Sequence, residues 1–146
     1  GWGRQEAEIR HLIEENHLHD RALIHPAVPL EKLLTYTASA EIGIQILRNT
    51  CLNHYTTDSN KLFEYLMAGL PVVASDFPEI RKIIKHYQVG FCVDPENIDE
   101  IATKIKDLIE QKDLYQTFKA NAVNAALELN WENQENDLIN AYSRLN

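Results

Sequence analysis

Thr56-Thr57-Asp58-Ser59-Asn60-Lys61 is a run of small hydroxyl, amide and charged side chains that leads directly into the apolar stretch Leu62 to Met67. The first turn of a helix has backbone N–H groups without intrahelical partners. A helix opening at about Ser59 therefore offers donors, and the positive end of its dipole, to an anion. The hydroxyls of Thr57 or Ser59 and the Lys61 ammonium would add to them, and a phosphate or diphosphate is the group such a set would hold. The competing use of the same residues is simple capping by Asp58 or Ser59. Glu64 follows one turn further in, where its carboxylate can accept hydrogen bonds from two neighbouring ribose hydroxyls at once. A lone helix Glu is ordinarily a solvated charge, but Leu62, Phe63, Tyr65, Leu66 and Met67 surround this one.

Other reactive groups carry less. His17-x-His19 has no Cys or third His at a ligand spacing, and no metal site is expected. Asp76 follows an apolar run, as the phosphoacceptor of a receiver domain would. That chemistry needs an acidic pair after the first strand and a Lys after the last, neither of which is present, so Asp76 is read as a helix N-cap. Cys51 and Cys92 form no Cys-x-x-Cys pair and are expected as free thiols in a reducing compartment. Trp131 and Tyr142 are read as core or docking aromatics.

The elements that must position these residues alternate along the chain. Residues 4–18 have the apolar spacing of an amphipathic helix, and Arg21 to His25 is a short apolar run stopped by Pro26, read as a buried strand. Leu30 to Ser39 returns to helical spacing, and Glu41 to Leu47 alternates as a strand. Gly43 inside that strand signals close packing against its backbone. Arg48 to Asn60 reads as a long loop, followed by a helix from Ser59 to Ala68 that Gly69 stops. Pro71 to Ser75 is a continuous apolar run, typical of a parallel strand buried on both faces. A helix over 78–86, a strand over 90–93 and a helix over 98–109 continue the pattern, and two more helices fill 113–145. The fold class is α/β, a Rossmann-like parallel sheet flanked by helices.

The chain has 146 residues and a net charge of -8, with 14 Lys and Arg among 22 acids, which argues against a nucleic-acid partner. A single nucleotide needs no basic surface, because backbone N–H groups can hold its diphosphate. No apolar run reaches the ~20 residues of a membrane span. The expected location is the cytoplasm, with peripheral association at the inner face of the membrane left open.

The run Ser59-Asn60-Lys61-Leu62-Phe63-Glu64-Tyr65-Leu66-Met67-Ala68-Gly69-Leu70-Pro71-Val72-Val73-Ala74-Ser75 resembles the donor-binding signature of bacterial family 4 glycosyltransferases of the GT-B type. Arg21 to Val28 looks like that family's strand and loop at the nucleobase, Tyr36 to Leu47 like its helix and A-D-I-G strand, and Val89 to Pro95 like its G-x-x-V-x-P strand. The resemblance implies that Glu64 binds the donor ribose and that Thr57, Asp58, Ser59, Asn60 and Lys61 hold the diphosphate. It also places His25 and Ala27 at the base, mostly through backbone groups. Two departures stand out. The family often has a second Glu eight residues before the ribose Glu, where this chain has Thr56. Gly1-Trp2-Gly3 looks like the glycine turn after the family's second strand, so the first strands, the Arg and Lys pair that grips the phosphates, and the N-terminal domain are expected to be missing.

On this resemblance residues 1–146 form a partial nucleotide-sugar-binding domain, C-terminal in the family, with C-terminal helices over 113–146. The implied function is the donor-binding part of a metal-independent hexosyltransferase that uses no cofactor and takes a nucleoside diphosphate sugar as substrate. It would serve polysaccharide or glycoconjugate synthesis, be inactive alone, and take its catalytic base from the missing N-terminal domain. Its partners would be the nucleotide sugar, an acceptor and that domain. The alternatives are a nucleotide-sugar 2-epimerase of the same scaffold and a non-catalytic nucleotide-binding module. With its first strands absent, the Arg21 strand is expected either to close against the Glu41 strand or to pair between copies in a homodimer.

Overall fold

A computed structural model describes Gly3 and residues 5–144, so Gly1 and Trp2 of the expected N-terminal turn lie outside the described residues. Along the chain come α1 (Glu6–Glu15), α2 (Leu30–Thr37), β1 (Gly43–Gln45), α3 (Leu52–Thr56), α4 (Asn60–Met67), β2 (Val72–Ser75), α5 (Pro78–Tyr87), β3 (Gly90–Val93), α6 (Ile98–Glu110), α7 (Lys112–Glu128) and α8 (Trp131–Ser143). The chain divides into two compact units, Gly1–Leu33 and Leu34–Asn146.

The first unit carries α1 and a stretch of irregular chain. Arg21 to His25, read as a strand, forms none, and Leu23 within it is 84% exposed. A short apolar run is ambiguous by pattern alone. Here it closes no ladder.

In the second unit, three strands make a parallel sheet in the order β1-β2-β3. The apolar run at β2 takes the centre and is buried at all four positions, as a strand covered on both faces must be. On one face Leu62 and Leu66 of α4, Phe77, Ile80 and Ile84 around α5, and Ala122 and Ala125 of α7 pack with Val72 and Ala74. The opposite face gathers Val73 and Val93 with Leu108 of α6, and Ile42, Ile46, Ile101 and Ile105 pack against them. Each fully buried Leu, Ile or Val among them contributes about 1.5–3 kcal/mol.

β1 alternates as expected. Ile42 and Ile46 face the α6 side, while Gly43, Gln45 and Leu47 face the α4 side. Ile44 is 46% exposed, because α6 covers β2 and β3 rather than β1. Gly43 is required by Tyr65 of α4, whose ring lies where a Cβ would stand. α4 ends in a Schellman turn: Ala68 is the C-cap, Gly69 takes φ 69°, and the Leu70 and Gly69 N–H groups donate to Tyr65 O and Leu66 O, both at 2.9 Å. That turn brings the chain into β2 through Pro71.

Two further differences from the sequence reading have local causes. The loop 48–60 contains α3, a five-residue helix too short to show a period. Asp76 does not cap α5: Phe77 is the N-cap, and the Asp76 carboxylate is drawn to Arg81 instead.

Candidate functional site

β1 and β2 are parallel and α4 enters β2 through a tight turn, so α4 runs antiparallel to both strands and its first turn lies at their carboxyl ends. In open α/β sheets this is where ligands bind. Ser59 is the N-cap of α4 but makes no side-chain hydrogen bond to the first turn, so the capping role considered for it is not used. Asp58 makes no side-chain bond there either. The Leu62 N–H is bound to Ser59 O at 2.9 Å.

The structure brings Thr57, Asp58, Ser59, Asn60, Lys61 and Glu64 together at this helix start. Asp58, Asn60 and Lys61 are exposed; Thr57, Ser59 and Glu64 are half-buried. Among the described residues none of their side chains has a hydrogen bond or ion pair, which leaves the Lys61 ammonium and the Glu64 carboxylate available to a ligand. Thr56 is turned to its own helix, its hydroxyl donating to Leu52 O at 3.0 Å. Tyr65, beside Glu64, donates its hydroxyl to Ile44 O at 3.1 Å on the outer edge of β1. Burial, and secondarily the Glu64 charge, raises its phenol above the usual range. His25 and Ala27 lie in the first unit, both exposed, with the His25 ring nitrogen Nδ1 2.8 Å from Pro26 O.

A second feature escaped the sequence reading. A cavity of about 700 Å³ opens at the carboxyl ends of β2 and β3, lined by residues that include Tyr55, Asp76, Cys92, Asp94 and Glu100. Asp76 of this lining is bound by Arg81 through both its carboxylate and its carbonyl. The hydrogen bond from Arg81 holds the Asp76 carboxyl below its usual range. Burial, with the Asp76 charge second, pushes the Cys92 thiol up to about 11. At the rim, Arg48 after β1 forms a two-pronged ion pair with Glu96 after β3, at 2.8 and 2.7 Å. The only signal for this cluster was that Asp76 and Asp94 each directly follow a strand. Cys51 and Cys92 are both free thiols.

Among the described residues no group of three His, Cys, Asp or Glu could hold a metal ion, and no helix is long and apolar enough to cross a membrane.

The family model for glycosyl transferases group 1 matches residues 1–125, and the chain belongs to that family. Its fold is that of GT-B glycosyltransferases. Sucrose-phosphate synthase from Thermosynechococcus elongatus is similar in structure, with a TM-score of 0.84 at 22% sequence identity. The match covers 98% of this chain and 35% of that one, so the chain spans about a third of that protein's length. None of the curated protein sequences matches the chain.

Proposed function

We propose that this chain is the donor-binding part of a glycosyltransferase that moves a sugar from a nucleoside diphosphate sugar to an acceptor hydroxyl. The observation that carries the reading is the start of α4, where a helix N-terminus without a side-chain cap stands beside an unpaired Lys61 and an unpaired Glu64. In the proposed mechanism the diphosphate lies on the first-turn N–H groups of α4. The helix dipole, the Thr57 and Ser59 hydroxyls and Lys61 stabilise the charge that grows on it as the sugar departs. Glu64, one turn in, accepts from the ribose hydroxyls. In this reading the donors at the helix start, rather than a metal, balance the charge of the leaving group. The catalytic base and the acceptor site belong to a second domain, against which the exposed Trp131, Leu138 and Tyr142 of α8 would dock. This part alone would be inactive, and the whole enzyme would work in the cytoplasm in polysaccharide or glycoconjugate synthesis.

Calorimetric titration of the chain with uridine, guanosine and adenosine diphosphates tests the reading. One of them should bind, and Glu64→Ala should weaken it. Absence of binding for all three at millimolar concentration would overturn the proposal.

A further inference from the structure

Two polar side chains are buried in the sheet, Gln45 and Ser75. Ser75 is satisfied twice over by one residue: its Oγ accepts from the Leu47 N–H at 2.6 Å and donates to Leu47 O at 2.8 Å. Gln45 is only 3% exposed, and neither its Oε1 nor its Nε2 has a hydrogen-bond partner among the described residues. An amide has two donors and an acceptor oxygen. Native proteins leave few such groups buried without partners. A Met or Leu would fill the same volume, so packing alone does not account for an amide in this position.

Its place in the fold suggests what the amide serves. Gln45 shares the α4 side of β1 with Gly43 and Leu47, and Gly43 lies beneath Tyr65. Two residues of strand advance about 6.6 Å, a distance that an α-helix covers in about four residues. Because α4 runs antiparallel to β1, the step from Gly43 to Gln45 corresponds to the step from Tyr65 back to about Lys61. The unpartnered amide is therefore level with the first turn of α4, the turn that Ser59 leaves without a side-chain cap. The segment 57–61 has no side-chain hydrogen bond holding it in place.

We propose that Gln45 is a positioning residue for the donor site: when a nucleoside diphosphate occupies the start of α4, the main chain of 57–61 settles onto the Gln45 amide. Its Oε1 then accepts from a first-turn N–H that the phosphates do not use, and its Nε2 donates to a carbonyl of the loop. Gln45 does not touch the ligand. It couples the order of the loop to occupancy, because the amide is satisfied in only one of the two states and the ligand selects that state. This inference rests on the donor-site reading above.

The test compares the parent chain with Gln45→Met and with Glu64→Ala, titrated with the three nucleoside diphosphates. Gln45→Met is expected to melt higher than the parent without nucleotide and to bind roughly tenfold more weakly. Nucleotide should slow hydrogen exchange at the amides of Asn60, Lys61 and Leu62 in the parent but not in Gln45→Met. In the parent, the side-chain amide resonances of Gln45 should shift on titration, a readout that stands even if the variant does not fold. Unchanged affinity and exchange in Gln45→Met, or unmoved Gln45 resonances, would overturn the inference. So would a lower melt without nucleotide at unchanged affinity, the result for an amide already held by buried water. If the parent binds and Glu64→Ala weakens it while Gln45→Met does not, the donor site stands and this inference alone falls. If the parent binds none of the three, both fall.

Discussion

β2 is paired on both sides, and the two pairings differ. Toward β3 the register runs over four residue pairs, from Val72 with Gly90 to Ser75 with Val93, and the Asp76 N–H extends it to Val93 O at 2.8 Å. Toward β1 it covers three pairs and stops at Gln45 with Ala74. Beyond that point the Ser75 side chain takes over from the backbone and holds Leu47. On the β3 side the polar groups near the strand ends are paired with one another, as Arg81 is with Asp76. On the β1 side the groups at the α4 start are unpaired, and the buried Gln45 amide is unpaired as well. The lesson concerns placement: the closed ladder supplies a rigid platform, and the site sits where the ladder is released.

The sharpest way to break this contrast is to disturb the closed side. A Cβ on Gly90 would collide with main-chain atoms of Val72, which cannot swing aside. Gly90→Ala is expected to lower stability by about 3 kcal/mol or more, the upper end for overpacking. Denaturant unfolding measures it, and a loss under about 1 kcal/mol would mean that the two strands can slide apart after all.

On the open side the largest effect is expected on binding rather than on folding. Glu64→Ala should weaken nucleoside diphosphate binding by about 1–3 kcal/mol, the usual cost of deleting a charged acceptor, with the melting curve unchanged. Equal affinity in variant and parent would remove Glu64 from the site.

A smaller effect probes the edge between the two regions. Tyr65→Phe keeps the ring beneath which Gly43 fits and removes only the hydroxyl that donates to Ile44 O. A loss of about 0.5–1.5 kcal/mol in unfolding free energy is expected. A loss near that of Gly90→Ala would show that β1 is as rigid as β3.

How far this contrast could be read from sequence follows its two halves. Pro71 to Ser75 was recognisable because a strand buried on both faces must be apolar throughout, and Gly43 pointed correctly to a close neighbour. Arg21 to His25 had the same apolar run with no partner to pair with, and composition cannot tell those situations apart. α3 was hidden because five residues carry no periodicity. At the site, the order of Asp58 to Lys61 before an apolar helix was enough to suggest an anion. Gln45 passed unnoticed because a strand pattern says which face a residue takes, not whether its amide finds a partner. Asp76, directly before a helix, reads as a cap in sequence because only the folded chain brings Arg81 within reach.

The smallest expected effect belongs to that ion pair. Asp76 has a lowered carboxyl pKa in the fold, so the pair contributes stability above the carboxylate's unfolded value near 3.8, and that contribution is lost as pH falls through the folded value. Arg81→Met should therefore flatten the loss of melting temperature below about pH 4 and change little at neutral pH. An acid limb identical to the parent's would leave Asp76 without a stabilising partner.

Cys92 sits among these groups with its thiol raised to about 11, so at neutral pH almost none of it is the thiolate that reacts with electrophiles. Cys51 is exposed, at the N-terminus of α3, the helix that leads into the 57–61 segment. A maleimide fluorophore added at neutral pH should therefore label Cys51 ahead of Cys92. The native chain thus carries its own attachment point for an optical reporter of loop ordering, with no cysteine to be introduced.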